Sequence, residues 1–306
     1  MKEKITLKKA IEQFPSYLNI KGLKDSTIGA YKIDILIFEN YIKEKYPSIC
    51  YIDSIGKAHI MNYRNFLTEK ITTKEYKKST VDRKYDSLKV FYDFLEEFGF
   101  IEDNFVKDFS FKRVRNQIFD EEKTLNLPKY LDEEDIKKIV ETAKKDRTQN
   151  NIRDIAILEF LRSTGCRRSS VLALNWEDID FVRDIITIKH SKTDNVSIVP
   201  LSKSLRQALI DYLAIENRIS GKVFKIGKDA LNDLVKKYVR NSGVQDKADF
   251  NITIHTFRHS FITNLVRKNV SLKKIAQYTG HKDIRTLEIY THLIPTNLND
   301  VCELIG

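Results

Sequence analysis

HTFRHSFITNLVRKNVSLKKIAQYTGHKDIRTLEIYTHL, residues 255–293, is the stretch around which the chain is organised. A helix beginning near His255 sets Arg258 about one turn further on, so both side chains leave the same face. An apolar-periodic segment around Leu272–Tyr278 predicts a second helix, closed by the turn Thr279-Gly280-His281. Tyr290 follows nine residues after His281, behind Leu287 and Ile289. Two imidazoles, a guanidinium and a phenol in so short a span are poor material for an ordinary core.

The whole chain of 306 residues is longer than a typical single domain, which predicts two. Apolar residues make up 42%, enough for packed cores rather than a disordered chain. The net charge of +10 fits a plain basic protein and equally one with a nucleic-acid partner; charge alone does not separate them. Cys50, Cys166 and Cys302 lie far apart without CxxC spacing, which argues against a disulfide framework and against a zinc site. The opening MKEKITLKKAIEQF has no apolar signal core, and no run reaches the length of a membrane span. The expectation is a cytoplasmic protein in a reducing compartment.

Residues 1–108 read as a helical domain. Thr6 is placed to cap a first helix carrying Ile11, Phe14 and Leu18, with Pro15 inside it. Lys24-Asp25-Ser26 opens a second, and a third covers about Ile55–Lys70. A fourth starts after Ser79-Thr80 with Val81, Tyr85, Leu88, Tyr92 and Leu95, the rhythm of one buried face, and Gly99 closes it. The basic cluster KEYKKSTVDRKY, residues 74–85, reads as a solvated face or, at a helix start, as phosphate contacts through Lys77, Lys78, Arg83 and Lys84. Residues 109–128 have no sustained period and end in Pro128, which predicts a linker. Its basic half, with Lys112, Arg113 and Arg115, would follow a phosphate backbone if the flanking domains clamp a duplex.

The second domain spans 129–306. Acids at Asp132-Glu133-Glu134 suit a helix start. A helix through Ile152, Ile155, Leu158 and Leu161 runs into Ser163-Thr164-Gly165-Cys166-Arg167. The clear β signal is a hairpin, 184–190 and 196–199, with Lys192 at its tip. Helices around 202–217 and 228–241 lead back to His255. The expected fold is mainly α with a small antiparallel β-sheet.

Arg167 on its own reads most plainly as one half of a salt bridge, with Glu177 or Asp178 as partner. Taken together, Arg167, Lys192, His255, Arg258, His281 and Tyr290 suggest something else. The chain has no HExxH, no GxxxxGK[ST] and no carboxylate cluster suited to Mg²⁺. Phosphodiester transfer without metal or other cofactor would use this set. Two guanidinium forks stabilise the anionic phosphorus, a base or positive field activates a phenol of intrinsic pKa about 10, and a lysine protonates the leaving alkoxide.

These residues resemble the tyrosine recombinases, the family of phage integrases and Xer-type recombinases, over nearly the whole chain. STGCRRSSVLALNWEDID, residues 163–180, is similar to the family's first box and puts its first arginine at Arg167. ITIKHSKTDNVSIVPL, residues 186–201, is similar to the hairpin that carries its lysine, here Lys192. HTFRHSF resembles the second box, giving His255 and Arg258, and TGHKDIRTLEIYTHL the last, giving His281 and the nucleophile Tyr290. The resemblance implies attack by Tyr290 to form a 3′-phosphotyrosyl link, with Arg167, Arg258 and His281 on the phosphate, Lys192 as acid and His255 as base. It implies a SAM-like, DNA-clamping domain at 1–108, double-stranded DNA as partner, and a homotetrameric synapse in which the apolar C-terminal tail is exchanged between protomers. No arm-site-binding domain is seen ahead of the clamp, so the expectation is a simple Xer-like recombinase. A type IB topoisomerase-like relaxing enzyme is the alternative, and a catalytically silent DNA-binding protein a third. Many family members carry an acid three residues after the first arginine; here that position is Ser170, with Glu177 and Asp178 as candidate substitutes. His259 reads as a buried supporting residue, His292 as structural and Cys166 as packing.

Overall fold

In the computed structural model, which describes residues 4–107, 127–189 and 196–293, Thr6 caps α1 (Leu7–Ile20) by accepting the Lys9 N–H at 3.2 Å. Pro15 lies inside α1 without ending it. The ring removes one backbone bond, and burial of Leu7, Ile11, Phe14, Tyr17 and Leu18 on both sides of it offsets the loss. α2 (Asp25–Lys45), α3 (Lys57–Thr72) and α4 (Lys78–Glu97) complete a helical bundle. The α4 stripe is buried throughout, and aromatic rings fill the interior: Phe14 meets Phe91 edge-on at 5.1 Å, and Phe38 meets Tyr63 at 4.9 Å. This bundle belongs to one compact unit, Met1–Glu122; the second unit is Lys123–Gly306.

The second unit is built on α6 (Asn151–Thr164), whose Ala156, Ile157, Leu158, Phe160 and Leu161 are fully buried. Around it stand α5 (Glu133–Lys145), α8 (Lys203–Glu216) and α10 (Ile254–Arg267). A short α7 (Arg168–Ala173) leads to the sheet, and α9 (Lys228–Asn241) precedes α10. The antiparallel sheet has the order β1 (Ile179–Asp180), β2 (Ile185–Lys189), β3 (Val196–Pro200). Ile186 pairs with Val199 and Ile188 with Ser197, all facing inward, while Val196 and Ile198 face out. The first strand, only two residues long, adds to the hairpin expected from the sequence. α11 (Leu272–Thr279) and α12 (Arg285–Glu288) follow α10, and Ile262, Val266, Ile275, Ala276, Leu287 and Tyr290 form a small apolar cluster there. No helix among the described residues is long and apolar enough to cross a membrane.

Candidate active site

Two glycines shape the site. At Gly165 the chain leaves α6 in a left-handed turn, φ +55°, and a Cβ there would stand 2.4 Å from the Phe261 ring. Only glycine meets both conditions. At Gly280 α11 ends in a second left-handed turn, φ +66°. These two turns present backbone carbonyls to two guanidinium groups. Arg258, on α10 and 5% exposed, donates through Nη1 to the Gly165 carbonyl at 3.0 Å and through Nη2 to the Thr279 carbonyl at 2.8 Å. Arg167, in the extended residue between Cys166 and α7, donates to the Gly280 carbonyl at 3.4 Å.

Among the described residues, no carboxylate forms an ion pair with either arginine. Burial, with the charge of Arg167 next to it, lowers the Arg258 pKa to about 10, and burial also lowers that of Arg167. Both remain cationic at neutral pH. Two neighbouring cations held only by neutral acceptors are a site for an anion.

His281 completes this wall. The Thr279 hydroxyl donates to the Ile275 carbonyl at 2.6 Å and stands 2.6 Å from His281 Nδ1. Its one proton goes to the carbonyl, which can only accept, so Nδ1–H donates to the hydroxyl oxygen. Nε2 is then the lone-pair nitrogen, and it lies 3.1 Å from Arg258 Nη2. This tautomer is assigned from the hydrogen-bond pattern.

Tyr290 stands just beyond α12 and is 5% exposed within its apolar cluster. Its hydroxyl lies 2.6 Å from His259 Nδ1. Burial raises the phenol's pKa, and the charge of Arg258 works against that rise. Burial also lowers the pKa of His259, followed by the charges of His255 and Arg258. The sequence reading made His259 a supporting residue; in the structure it touches the nucleophile candidate itself. The signal available was its spacing, four residues after His255 and so on the same helix face. His255 is exposed and lines a cavity of about 250 Å³ with Arg168, Asn232 and Lys236. Of the six residues singled out from the sequence, the structure brings together Arg167, Arg258 and His281, with Tyr290 within electrostatic reach of Arg258. Lys192 lies outside the described residues.

Comparison with known proteins gives the family. Residues 129–296 match the phage integrase family, and residues 11–97 match the phage integrase N-terminal SAM-like domain. The tyrosine recombinase XerC of Thermodesulfovibrio yellowstonii is 31% identical, over 95% of this chain and 94% of its own. The chain belongs to the phage integrase family, the tyrosine recombinases. XerD of Staphylococcus haemolyticus is 26% identical over 95% of this chain and 96% of its own. In fold, this tyrosine recombinase superposes on XerH bound to a palindromic difH substrate with a TM-score of 0.72, at 18% identity, covering 97% of this chain and 84% of XerH. Site-specific DNA recombination is its reaction class, and nothing in these likenesses favours the topoisomerase alternative.

In this tyrosine recombinase neither Glu177 nor Asp178 takes the place of the acid missing at Ser170. The Glu177 carboxylate accepts the Gly221 N–H at 2.9 Å. Asp178 accepts the Asn175 N–H at 3.0 Å and the Lys189 ammonium at 2.6 Å. Both are engaged elsewhere, and the Gly280 carbonyl is what orients Arg167. Ser170 instead donates to the Lys189 carbonyl at 3.4 Å, at the end of β2. Cys166 is packed in the core, its thiol pushed up to about 12 by burial, and His292 is exposed.

The basic residues of the recombinase's helical unit divide. Lys77 and Lys78 are exposed at the start of α4. Arg83 is part-exposed and pairs with Asp34 of α2. Lys84 corrects the sequence reading: its side chain is 3% exposed and its ammonium is 3.0 Å from Asp34, so it holds α2 to α4 and presents no charge to solvent. Ser87 donates to the same carboxylate at 2.8 Å. Lys112, Arg113 and Arg115 lie outside the described residues.

Proposed function

We propose that this protein cuts and rejoins double-stranded DNA at specific sites through a 3′-phosphotyrosyl intermediate, in the integration or excision of a mobile element or the resolution of DNA dimers. One observation carries the chemistry: two adjacent guanidinium groups with carbonyl partners and, among the described residues, no carboxylate. A scissile phosphate supplies the missing negative charge, and the forks of Arg167 and Arg258 suit its non-bridging oxygens. His281 borders the same oxygens. Tyr290 attacks phosphorus, the bond to the 5′ oxygen breaks, and Lys192 gives that oxygen a proton. His255 is the base the family resemblance suggests. A 5′-hydroxyl from the partner strand then reverses the step, so the energy of the broken bond is retained in the tyrosyl ester. Lys77, Lys78 and Arg83, with Lys112, Arg113 and Arg115, are proposed contacts to the DNA backbone. The assembly proposed is a homotetramer on paired sites, with residues after Tyr290 exchanged between protomers; the apolar Leu298, Val301, Leu304 and Ile305 support that reading.

The test is a library of nicked duplexes with a randomised core, flanked by sequence from either side of the gene. Nicking lets the short product diffuse away and traps any covalent complex. Wild type should yield protein–DNA adducts on a denaturing gel, and Tyr290→Phe none. Adducts from Tyr290→Phe would remove Tyr290 from its role, and their absence from wild type would remove the reading altogether.

A further inference from the structure

The geometry points to His259 as the residue that takes the Tyr290 proton during attack on the phosphate, a step that rests on the recombinase reading above. Nδ1 of His259 and the phenol oxygen are 2.6 Å apart, a short hydrogen bond already formed before any substrate arrives. The rings lie 5.9 Å apart and tilted by 35°, so the contact is made edge to edge by the polar atoms and not by stacking. A phenol buried in hydrocarbon cannot pass its proton to bulk water, so the acceptor must be within the cluster. His259 is that acceptor, fixed on α10 between Arg258 and the apolar residues that hold Tyr290.

The surroundings suit the transfer. An imidazole must be neutral to accept, and burial first, then the neighbouring His255 and Arg258, lower this one's pKa and so favour that form. Arg258 also stabilises the phenolate as it forms. In the forward step the bond from Tyr290 Oη to phosphorus forms as the proton passes to His259 Nδ1. The bond from phosphorus to the 5′ oxygen breaks, and that oxygen takes a proton from Lys192. In the reverse step the departing phenol recovers its proton from His259, and charge balances in both directions.

The experiment uses the full chain and the duplex that wild type selects from the library, in single turnover. His259→Asn keeps an acceptor oxygen near the position of Nδ1 but cannot take a proton; His255→Asn is made beside it. A second duplex carries sulfur in place of the 5′ bridging oxygen, a leaving group that needs no acid. His259→Asn should bind DNA like wild type and form adduct about 100-fold more slowly. The sulfur duplex should restore Lys192→Ala but leave His259→Asn slow, because the nucleophile's proton still has no acceptor. His259→Asn within threefold of wild type, its rescue by sulfur, or a loss confined to His255→Asn would each overturn the inference. In all three cases the wild-type adduct still stands, so the recombinase reading survives; a wild type that forms none takes both down.

Discussion

His259 shows how much one side chain's surroundings set its chemistry. Facing it are His255 and Arg258 from its own helix and Tyr290 from the segment after α12, and both charged neighbours work with burial to lower its pKa below the ordinary 6.5. Adduct formation needs the neutral imidazole, so its rate should fall towards acid pH with its half-point below 6.5. A pH–rate profile in single turnover checks this, and a break at or above 6.5 would count against it. His281 has a different constraint. In the free protein its Nε2 accepts from Arg258, so donating to a phosphate oxygen requires it to gain a proton on Nε2 or to turn its ring.

At the level of elements, Gly165 joins α6, α7 and α10. Gly165→Ala forces an L-residue into a left-handed turn and drives its methyl into Phe261, while displacing the carbonyl that holds Arg258. The expected cost is on the order of 3 kcal/mol, read as a lower midpoint in denaturant, with loss of adduct formation in whatever protein remains folded. Elements with a strong period were legible in the sequence. The α4 stripe, the α6 run and the hairpin strands all follow directly from residue spacing. Other features were not. A two-residue β1 has no periodicity to detect, and Pro15 argues locally against a helix that packing sustains. Lys84 was misread although its spacing was informative: it falls three residues after Val81 and four before Leu88, inside the apolar stripe. Its partner Asp34 is fifty residues away, and a sequence does not say which acid meets a lysine across two helices. The site was legible through its glycine turns and paired cations; the 2.6 Å contact from His259 to Tyr290 needed the fold.

Across the whole molecule, the positive charge should govern how tightly the protein holds any duplex. Each phosphate neutralised releases counterions, so affinity falls steeply as salt rises. Lys77→Ala and Lys78→Ala should each reduce the slope of log affinity against log salt by about 1. Lys84→Met should leave that slope unchanged, since its ammonium never meets solvent; fluorescence anisotropy over a salt series separates the two outcomes. Burial matters as well where the reactive group is concerned. Tyr290 is 5% exposed, whereas Tyr51 is 42% exposed. A reagent that nitrates surface tyrosines would therefore mark Tyr51 long before Tyr290. The apolar cluster that packs Tyr290 is what keeps it from solvent in the free protein. Methyl groups thus sheathe the cutting edge of the free protein.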